Sequence, residues 1–174
     1  TELTGPSGAK LFVSSETEDA DLFLVVRVFT GDLKEVVFQG ALDPHTPIAQ
    51  GWLRASHRKL DPKLTTEIRP YHTHDEIQPL KPDEKVECDV EIWDTSIVVP
   101  TGHRIGLTVR GKDYEFPGGA GAGLSNMKND FTGCGCFIHN DPADRPARIF
   151  GDNVTLYTAP GEAAYVILPV IPAK

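Results

Sequence analysis

Hydrophobic and polar residues alternate along much of this chain with the two-residue period of β-strands. Residues 22–29 are apolar at both sets of alternating positions except Arg27, which predicts a central strand with both faces buried. In residues 86–93 an apolar set alternates with a mainly acidic set, which predicts a strand with one face in solvent. Residues 104–110 show a similar alternation. Shorter strands are predicted at 9–13, 35–38, 51–56, 153–157 and 164–168.

Turn-forming residues separate these segments, and no stretch between them has the apolar spacing of an amphipathic helix. Thr30-Gly31-Asp32 and Pro100-Thr101-Gly102 are two such turns. This pattern predicts an all-β fold, a jelly-roll β-sandwich, as a single domain over residues 1–174. Two segments lack the strand pattern. Residues 59–79 are predicted to form a long crossover loop, and residues 116–141 contain a glycine-rich stretch at 118–123.

Charge and composition exclude several classes of partner. The formal net charge is −8, from 17 basic and 25 acidic residues, whereas nucleic-acid binding needs a dense basic patch. The longest apolar run, residues 22–26, is far shorter than the ~20 residues that span a membrane, so no membrane partner is predicted. Residues 1–4 lack the features of a secretory signal, and the missing initiator Met predicts a piece of a longer protein. Three cysteines predict free thiols and a cytoplasmic location.

Motifs for self-contained catalysis are missing from the sequence. The nucleophile elbow of a serine hydrolase needs Gly-x-Ser-x-Gly, and neither Ser7 nor Ser125 lies in that motif. The glycine-rich stretch is not followed by the Gly-Lys-Ser/Thr of a phosphate-binding loop, and no cofactor is predicted. His72 and His74 are the best metal-ligand candidates, as in a cupin-like enzyme, but no second pair has matching spacing and no metal site is assigned.

Tryptophan and arginine residues are the remaining candidates for a binding surface. Trp52 and Trp93 are expected either to pack in a core or interface or to form the stacking platform of a carbohydrate-binding module. A strand through residues 51–58 would direct Arg54 and Arg58 to one face. Their guanidinium groups would need carboxylate partners, from surface acids or from another domain.

Five segments, taken in order, resemble one known family. They are Leu-Thr-Gly-Pro at 3–6, the segment 11–21 that starts Leu-Phe-Val-Ser-Ser, Gly-Trp-Leu-Arg-Ala-Ser-His-Arg at 51–58, the segment 93–105 that starts Trp-Asp-Thr-Ser, and the segment 166–172. Together they resemble the C-terminal domain of the X-Pro dipeptidyl-peptidase (S15) and cocaine-esterase-like hydrolases. Each motif is weak by itself, and the ordered set covers nearly the whole chain.

The resemblance implies a galactose-binding-like jelly roll that accompanies an α/β-hydrolase domain carrying a Ser-Asp-His triad. No triad residue can be placed on this sequence. The expected role is that of an accessory domain that packs on the catalytic domain and shapes its substrate cleft or an interface in a homo-oligomer. A carbohydrate-binding module is the alternative. The sequence departs from the family pattern at residues 118–136, so the resemblance does not identify the subfamily or its substrate. The expected interface residues are Trp52, Arg54, Arg58, Trp93 and Arg104.

Overall fold

Nine strands and two short helical turns make up the part of the chain that the computed structural model describes, which is residues 1–117, 128–159, 161 and 163–172. The glycine-rich stretch 118–123 and Ser125, singled out above, lie outside the described residues. The helical turns are a 3-10 turn, Ala55–His57, and α1, Ala147–Phe150. The strands are β1 Glu2–Ser15, β2 Asp21–Phe29, β3 Glu35–Val36, β4 Ala49–Arg54, β5 Val86–Val98, β6 Arg104–Arg110, β7 Val154–Tyr157, β8 Tyr165–Ile167 and β9 Val170–Ile171.

Each of the two antiparallel sheets is organised around one strand. In the first sheet β1 pairs with β5 over nearly its whole length, in the register Leu11 to Cys88, with a bulge between Gly5 and Ser7. Because a strand has only two edges, β7, β8 and β9 follow one another along the other edge of β1. In the second sheet β2 pairs with β6 on one edge and with β4 and β3 on the other. The predicted all-β sandwich is confirmed.

The core lies between the two sheets and is built from alternate positions of the central strands. Leu24 and Val26 of β2 face Val13 of β1 and Val90 and Ile92 of β5 in one buried cluster. All five side chains are at most 2% exposed. The residues that alternate with them on β5 are acidic and lie on the solvent side, as the sequence predicts.

The outer face of β2 is also buried, because the segment that follows β6 folds back over it. Val25 packs with Tyr114 and Cys134, and Phe23 lies beneath the guanidinium group of Arg145. The Asp43 carboxylate holds this covering segment through the N–H groups of the residues on either side of Cys134. The predicted burial of both faces of β2 is confirmed, and its cover is a loop rather than a third sheet.

One local prediction is wrong. Arg54, Ser56 and Arg58 do not form a row on a strand, because β4 ends at Arg54 and residues 55–57 form the 3-10 turn. The Asp19 carboxylate accepts hydrogen bonds from the backbone N–H and the hydroxyl of Ser56, which draws the chain into the turn. The Arg58 guanidinium group then points inward and donates to the carbonyl oxygens of Ala55 and Gln78.

Several other local predictions agree with the structure, although β1 extends well beyond the predicted strand 9–13 and β9 is not among the predicted strands. Residues 59–79 form a loop without a helix, and the longer strands occur at the predicted positions. The three cysteine thiols are free, and burial raises the pKa of Cys88 to about 12 and that of Cys134 to about 11. Within the described residues, no helix is long and apolar enough to cross a bilayer.

Candidate functional site

The candidate site is centred on two tryptophans that come from different sheets. Trp52 lies on β4 and Trp93 on β5, with their ring centroids 4.8 Å apart and their planes at 71°. Gly51 makes this approach possible, because a Cβ atom at that position would lie 2.1 Å from the carbonyl oxygen of Glu91. Trp93 is 52% exposed although it is one of the largest apolar side chains in the protein.

The tryptophan pair separates two neighbouring clefts. The first, of about 460 Å³, is called the histidine cleft. The second, of about 620 Å³, is called the aromatic cleft. Besides the two tryptophans, the histidine cleft is lined by residues of β2 and β4 and by Glu91, His57, His72, His74, His139 and Asp144. The aromatic cleft is lined by Phe38, Asp43, residues 46–50, residues 94–96, residues 133–135 and Phe137.

One wall of the histidine cleft is fixed by a network of two arginines and two aspartates. Arg54 donates from Nε and Nη2 to the Asp21 carboxylate at 2.9 and 3.0 Å, and from Nη1 and Nη2 to Asp144 at 2.9 Å each. Arg145 Nε donates to the same Asp21 at 2.7 Å. These hydrogen bonds raise the pKa of Arg54 and lower that of Asp144. Four of the five N–H groups of Arg54 are thereby used, so its main role is to hold this wall rigid.

His139 in the same wall is oriented by a buried aspartate. The Asp113 carboxylate, with 8% of the side chain exposed, lies 2.9 Å from His139 Nδ1 and accepts the His139 backbone N–H at 2.7 Å. An ionised carboxylate can only accept, so Nδ1 donates to Asp113 and the orientation of the ring is fixed. A His–Asp pair can serve a nucleophile, but the described residues that line this cleft include no serine, threonine or cysteine.

Three histidines form another part of the lining of the histidine cleft. His57 ends the 3-10 turn, and its Nδ1 lies 3.1 Å from Nδ1 of His74. The rings of His72 and His74 are 6.0 Å apart, centroid to centroid. Burial and the neighbouring His74 lower the pKa of His72. As the side chains stand, the described residues include no group of three His, Cys, Asp or Glu placed to hold a metal ion.

Three of the five predicted interface residues meet at these clefts. Trp52, Trp93 and Arg54 line the histidine cleft, whereas Arg58 points into the protein and Arg104 lies on β6, outside the lining of both clefts. The pair of His139 and Asp113 and the exposed Phe137 are not among the residues predicted from the sequence. All three lie in loops without periodicity, and His139 belongs to no recognisable motif.

The aromatic rings differ from the platform of a carbohydrate-binding module. Such a platform would need several exposed rings in one plane. Trp93 is at 71° to Trp52 and at 86° to Phe137, so adjacent rings are close to perpendicular. The arrangement is an edge-to-face cluster, the geometry that aromatic pairs prefer in general, and it offers no coplanar platform to a sugar ring.

Comparison with known proteins places the sandwich in a family. Residues 1–123 match the family described as the X-Pro dipeptidyl-peptidase C-terminal non-catalytic domain. Two mycobacterial proteins named as presumed serine esterases, from Mycobacterium bovis and Mycobacterium tuberculosis, are each 29% identical over 119 residues, which is 64% of this chain and 17% of each relative. A crystal structure of a CocE/NonD family hydrolase from Staphylococcus aureus superposes with a TM-score of 0.79 at 25% identity, covering 98% of this chain and 28% of that one.

The two antiparallel sheets and the family match therefore define the class of this chain as a β-sandwich domain of a family described as non-catalytic. The chain belongs to the X-Pro dipeptidyl-peptidase C-terminal domain family. It spans 17% of the length of the curated relatives and 28% of the matched crystal structure. The predicted resemblance is confirmed.

Proposed function

We propose that this chain is the accessory C-terminal domain of a serine hydrolase that acts on ester, amide or peptide bonds. In that protein the nucleophile, base and oxyanion hole lie on a separate α/β-hydrolase domain. The present chain packs on that domain through its aromatic cleft and contributes a wall of the substrate cleft. The family match over residues 1–123 is the observation that carries this proposal.

The aromatic cleft is the surface best suited to the catalytic domain. Trp93, Phe137 and the adjacent Ile138 are each more than half exposed, at 52%, 58% and 54%, and Phe38 on the same cleft is 37% exposed. Large apolar side chains clustered on one surface favour a protein interface, with tryptophan as its strongest anchor. The Asp43 carboxylate holds the loop that carries Phe137, so the surface is largely preformed.

Because the proposed nucleophile lies on the other domain, the proposal predicts how the 174-residue chain reacts with an active-site probe. A fluorophosphonate reacts with a serine activated by a base, and we expect neither labelling nor ester hydrolysis by this chain. The positive control is the longer protein that carries both domains, which we expect to label at one serine outside these residues. Stoichiometric labelling of a serine within the chain would refute the accessory role.

Packing through the aromatic cleft predicts a pattern of hydrogen exchange. We expect amides of residues 93–96 and 133–138 to exchange at least about tenfold more slowly in the longer protein than in the 174-residue chain. Amides near Tyr71 are the matched control, because that aromatic ring is also 52% exposed but lies outside the lining of both clefts. Equal exchange at the cleft with new protection at Tyr71 would place the interface elsewhere.

The cytoplasmic location and a homo-oligomer remain predictions from the sequence. Sedimentation of the longer protein would establish its oligomeric state.

A further inference from the structure

Three imidazoles lie where the loop 59–79 meets the end of β4. His57 ends the 3-10 turn after β4, and His72 and His74 belong to the loop. The N–H of Gln78 donates to a carbonyl oxygen of the same 3-10 turn at 2.7 Å, so both ends of the loop are close to His57. A change of charge on these imidazoles therefore acts directly on the attachment of the loop.

The contact between His57 and His74 depends on a single proton. Their Nδ1 atoms are 3.1 Å apart, so one ring donates and the other accepts. If both imidazoles were charged, both Nδ1 atoms would carry a hydrogen, and the hydrogen bond would become a repulsion between two like charges. Full protonation of the pair therefore breaks the contact.

The backbone at His74 is ready to move when that contact breaks. Its φ is 53°, in the left-handed region that residues other than glycine occupy at a cost in energy. Such a conformation persists only where surrounding contacts hold it, and the hydrogen bond to His57 is one of them. Loss of this bond allows residue 74 to return to an ordinary backbone conformation, which displaces the adjoining loop.

The surroundings of His72 favour its neutral form. Burial and the neighbouring His74 lower the pKa of His72. A hydrogen bond to the Asp89 backbone and the charge of Asp89 act in the opposite direction, but that carboxylate already pairs with Lys10 at 3.2 Å. The Nε2 atom of His72 is buried and has no hydrogen-bond partner among the described residues, so a proton on it would have no acceptor.

The carboxylates around these imidazoles are bonded to other side chains. Within the described residues the ion pairs of the cleft include none of the three histidines, whereas His139 is paired with Asp113. The neighbouring pairs are Glu91 with Arg69, Asp144 with Arg54, Asp21 with Arg54 and Arg145, and both Asp75 and Glu76 with Lys59. Charge added to the three imidazoles therefore meets no carboxylate in contact with it.

We propose that the loop 59–79 is an acid-sensitive element: protonation of His57, His72 and His74 detaches it from the end of β4 and widens the histidine cleft. Imidazole is the side chain whose charge ordinarily changes between about pH 5 and 8. Because the pKa of His72 is lowered in the folded chain, the attachment is complete above the ordinary value of about 6.5 and weakens as the pH falls below it.

The carboxyl groups of the loop respond at lower pH than the histidines. A hydrogen bond from Thr73 lowers the pKa of Asp75, and one from Lys59 lowers the pKa of Glu76. Both carboxyl groups stay ionised while imidazole gains its proton. A change in the loop between about pH 7.5 and about pH 5.5 can therefore be assigned to histidine.

Amide exchange measured by NMR on the 174-residue chain tests the proposal. The reporters are the N–H groups of Thr73 and Gln78, both hydrogen-bonded at the base of the loop. After correction for the intrinsic effect of pH on exchange, we expect their protection to fall at least about tenfold between about pH 7.5 and about pH 5.5. The Asp83 N–H, which donates to the Ser15 carbonyl oxygen at 2.8 Å, is the control and should keep its protection.

Substitution assigns the change to these histidines. His57→Gln and His74→Asn keep a polar side chain that does not titrate, and asparagine tolerates the left-handed backbone of residue 74. We expect the double variant to lose most of the fall in Thr73 protection. His103→Gln is the matched control and should retain the whole fall, because His103 lies in the turn before β6 and lines neither cleft. Circular dichroism shows that each variant is folded.

Three results would overturn the proposal. The first is equal protection of Thr73 and Gln78 at both pH values in the unsubstituted chain. The second is an equal fall at Asp83, which would show that acid loosens the whole domain. The third is an undiminished fall in the folded double variant. None of these measurements depends on the catalytic domain, so they test the loop separately from the accessory role.

Discussion

Replacing Gly51 with alanine is expected to destabilise the chain by about 3 kcal/mol or more, or to prevent folding. The added Cβ would lie 2.1 Å from the carbonyl oxygen of Glu91 and 3.1 Å from the Cα of Ile92. Both are backbone atoms of β5, which is fixed by its pairing with β1, so neither can move aside alone. Relief requires the two sheets to separate in the centre of the core, where Ile92 is fully buried.

The effect of this substitution is measured by urea and thermal unfolding. For a chain of this length a loss of 3 kcal/mol lowers Tm by about 6–12 °C. Near-ultraviolet circular dichroism should change as well, because separation of β4 from β5 moves Trp52 away from Trp93. The control is Gly111→Ala: a Cβ atom there meets nothing within 4 Å and the residue has no positive φ, so we expect little change or slight stabilisation. Equal stability of the two variants would contradict the proposed close approach.

Replacing Asp21 with asparagine is expected to lower the free energy of unfolding by about 2–3 kcal/mol. Asp21 is the shared acceptor of Arg54 and Arg145, and 9% of its side chain is exposed. Asparagine keeps the shape but removes the charge, and its amide hydrogens would face a guanidinium donor. Arg145, with 13% of its side chain exposed, would lose its carboxylate partner while it remains packed over Phe23.

A matched variant tests whether burial sets the size of this loss. Asp144 bonds to the same Arg54 but 57% of its side chain is exposed, so solvent screens the interaction. We expect Asp144→Asn to cost well under about 1 kcal/mol. Thermal unfolding of both variants, with the double variant, measures the difference. If the two single substitutions lower the free energy of unfolding equally, the buried ion pairs of Asp21 are not the main support of the cleft wall.

Features of the fold that depend on neighbouring residues could be predicted from the sequence, and features that depend on contacts between distant residues could not. The alternation in residues 22–29 and 86–93 predicts the strands and the burial of their faces, because neighbouring residues on a strand point to opposite sides whatever they pack against. The predicted row of Arg54 and Arg58 is wrong, because the Asp19 carboxylate, from an earlier turn, captures Ser56 and ends the strand. The alternation of apolar and polar residues along a strand contains no information about a hydrogen bond to a residue outside that strand.

The all-β class, the acidic balance and the family membership can be read from the amino-acid sequence. The groups that meet at the clefts cannot, because they are brought together only by folding. Arg54 and Asp144 are 90 residues apart in the chain, His139 and Asp113 are 26 apart, and His57 and His74 are 17 apart. Local preferences act over a few residues, whereas these contacts depend on how two sheets approach at Gly51 and on which loops fold over β2. Only the packed chain brings those groups within bonding distance.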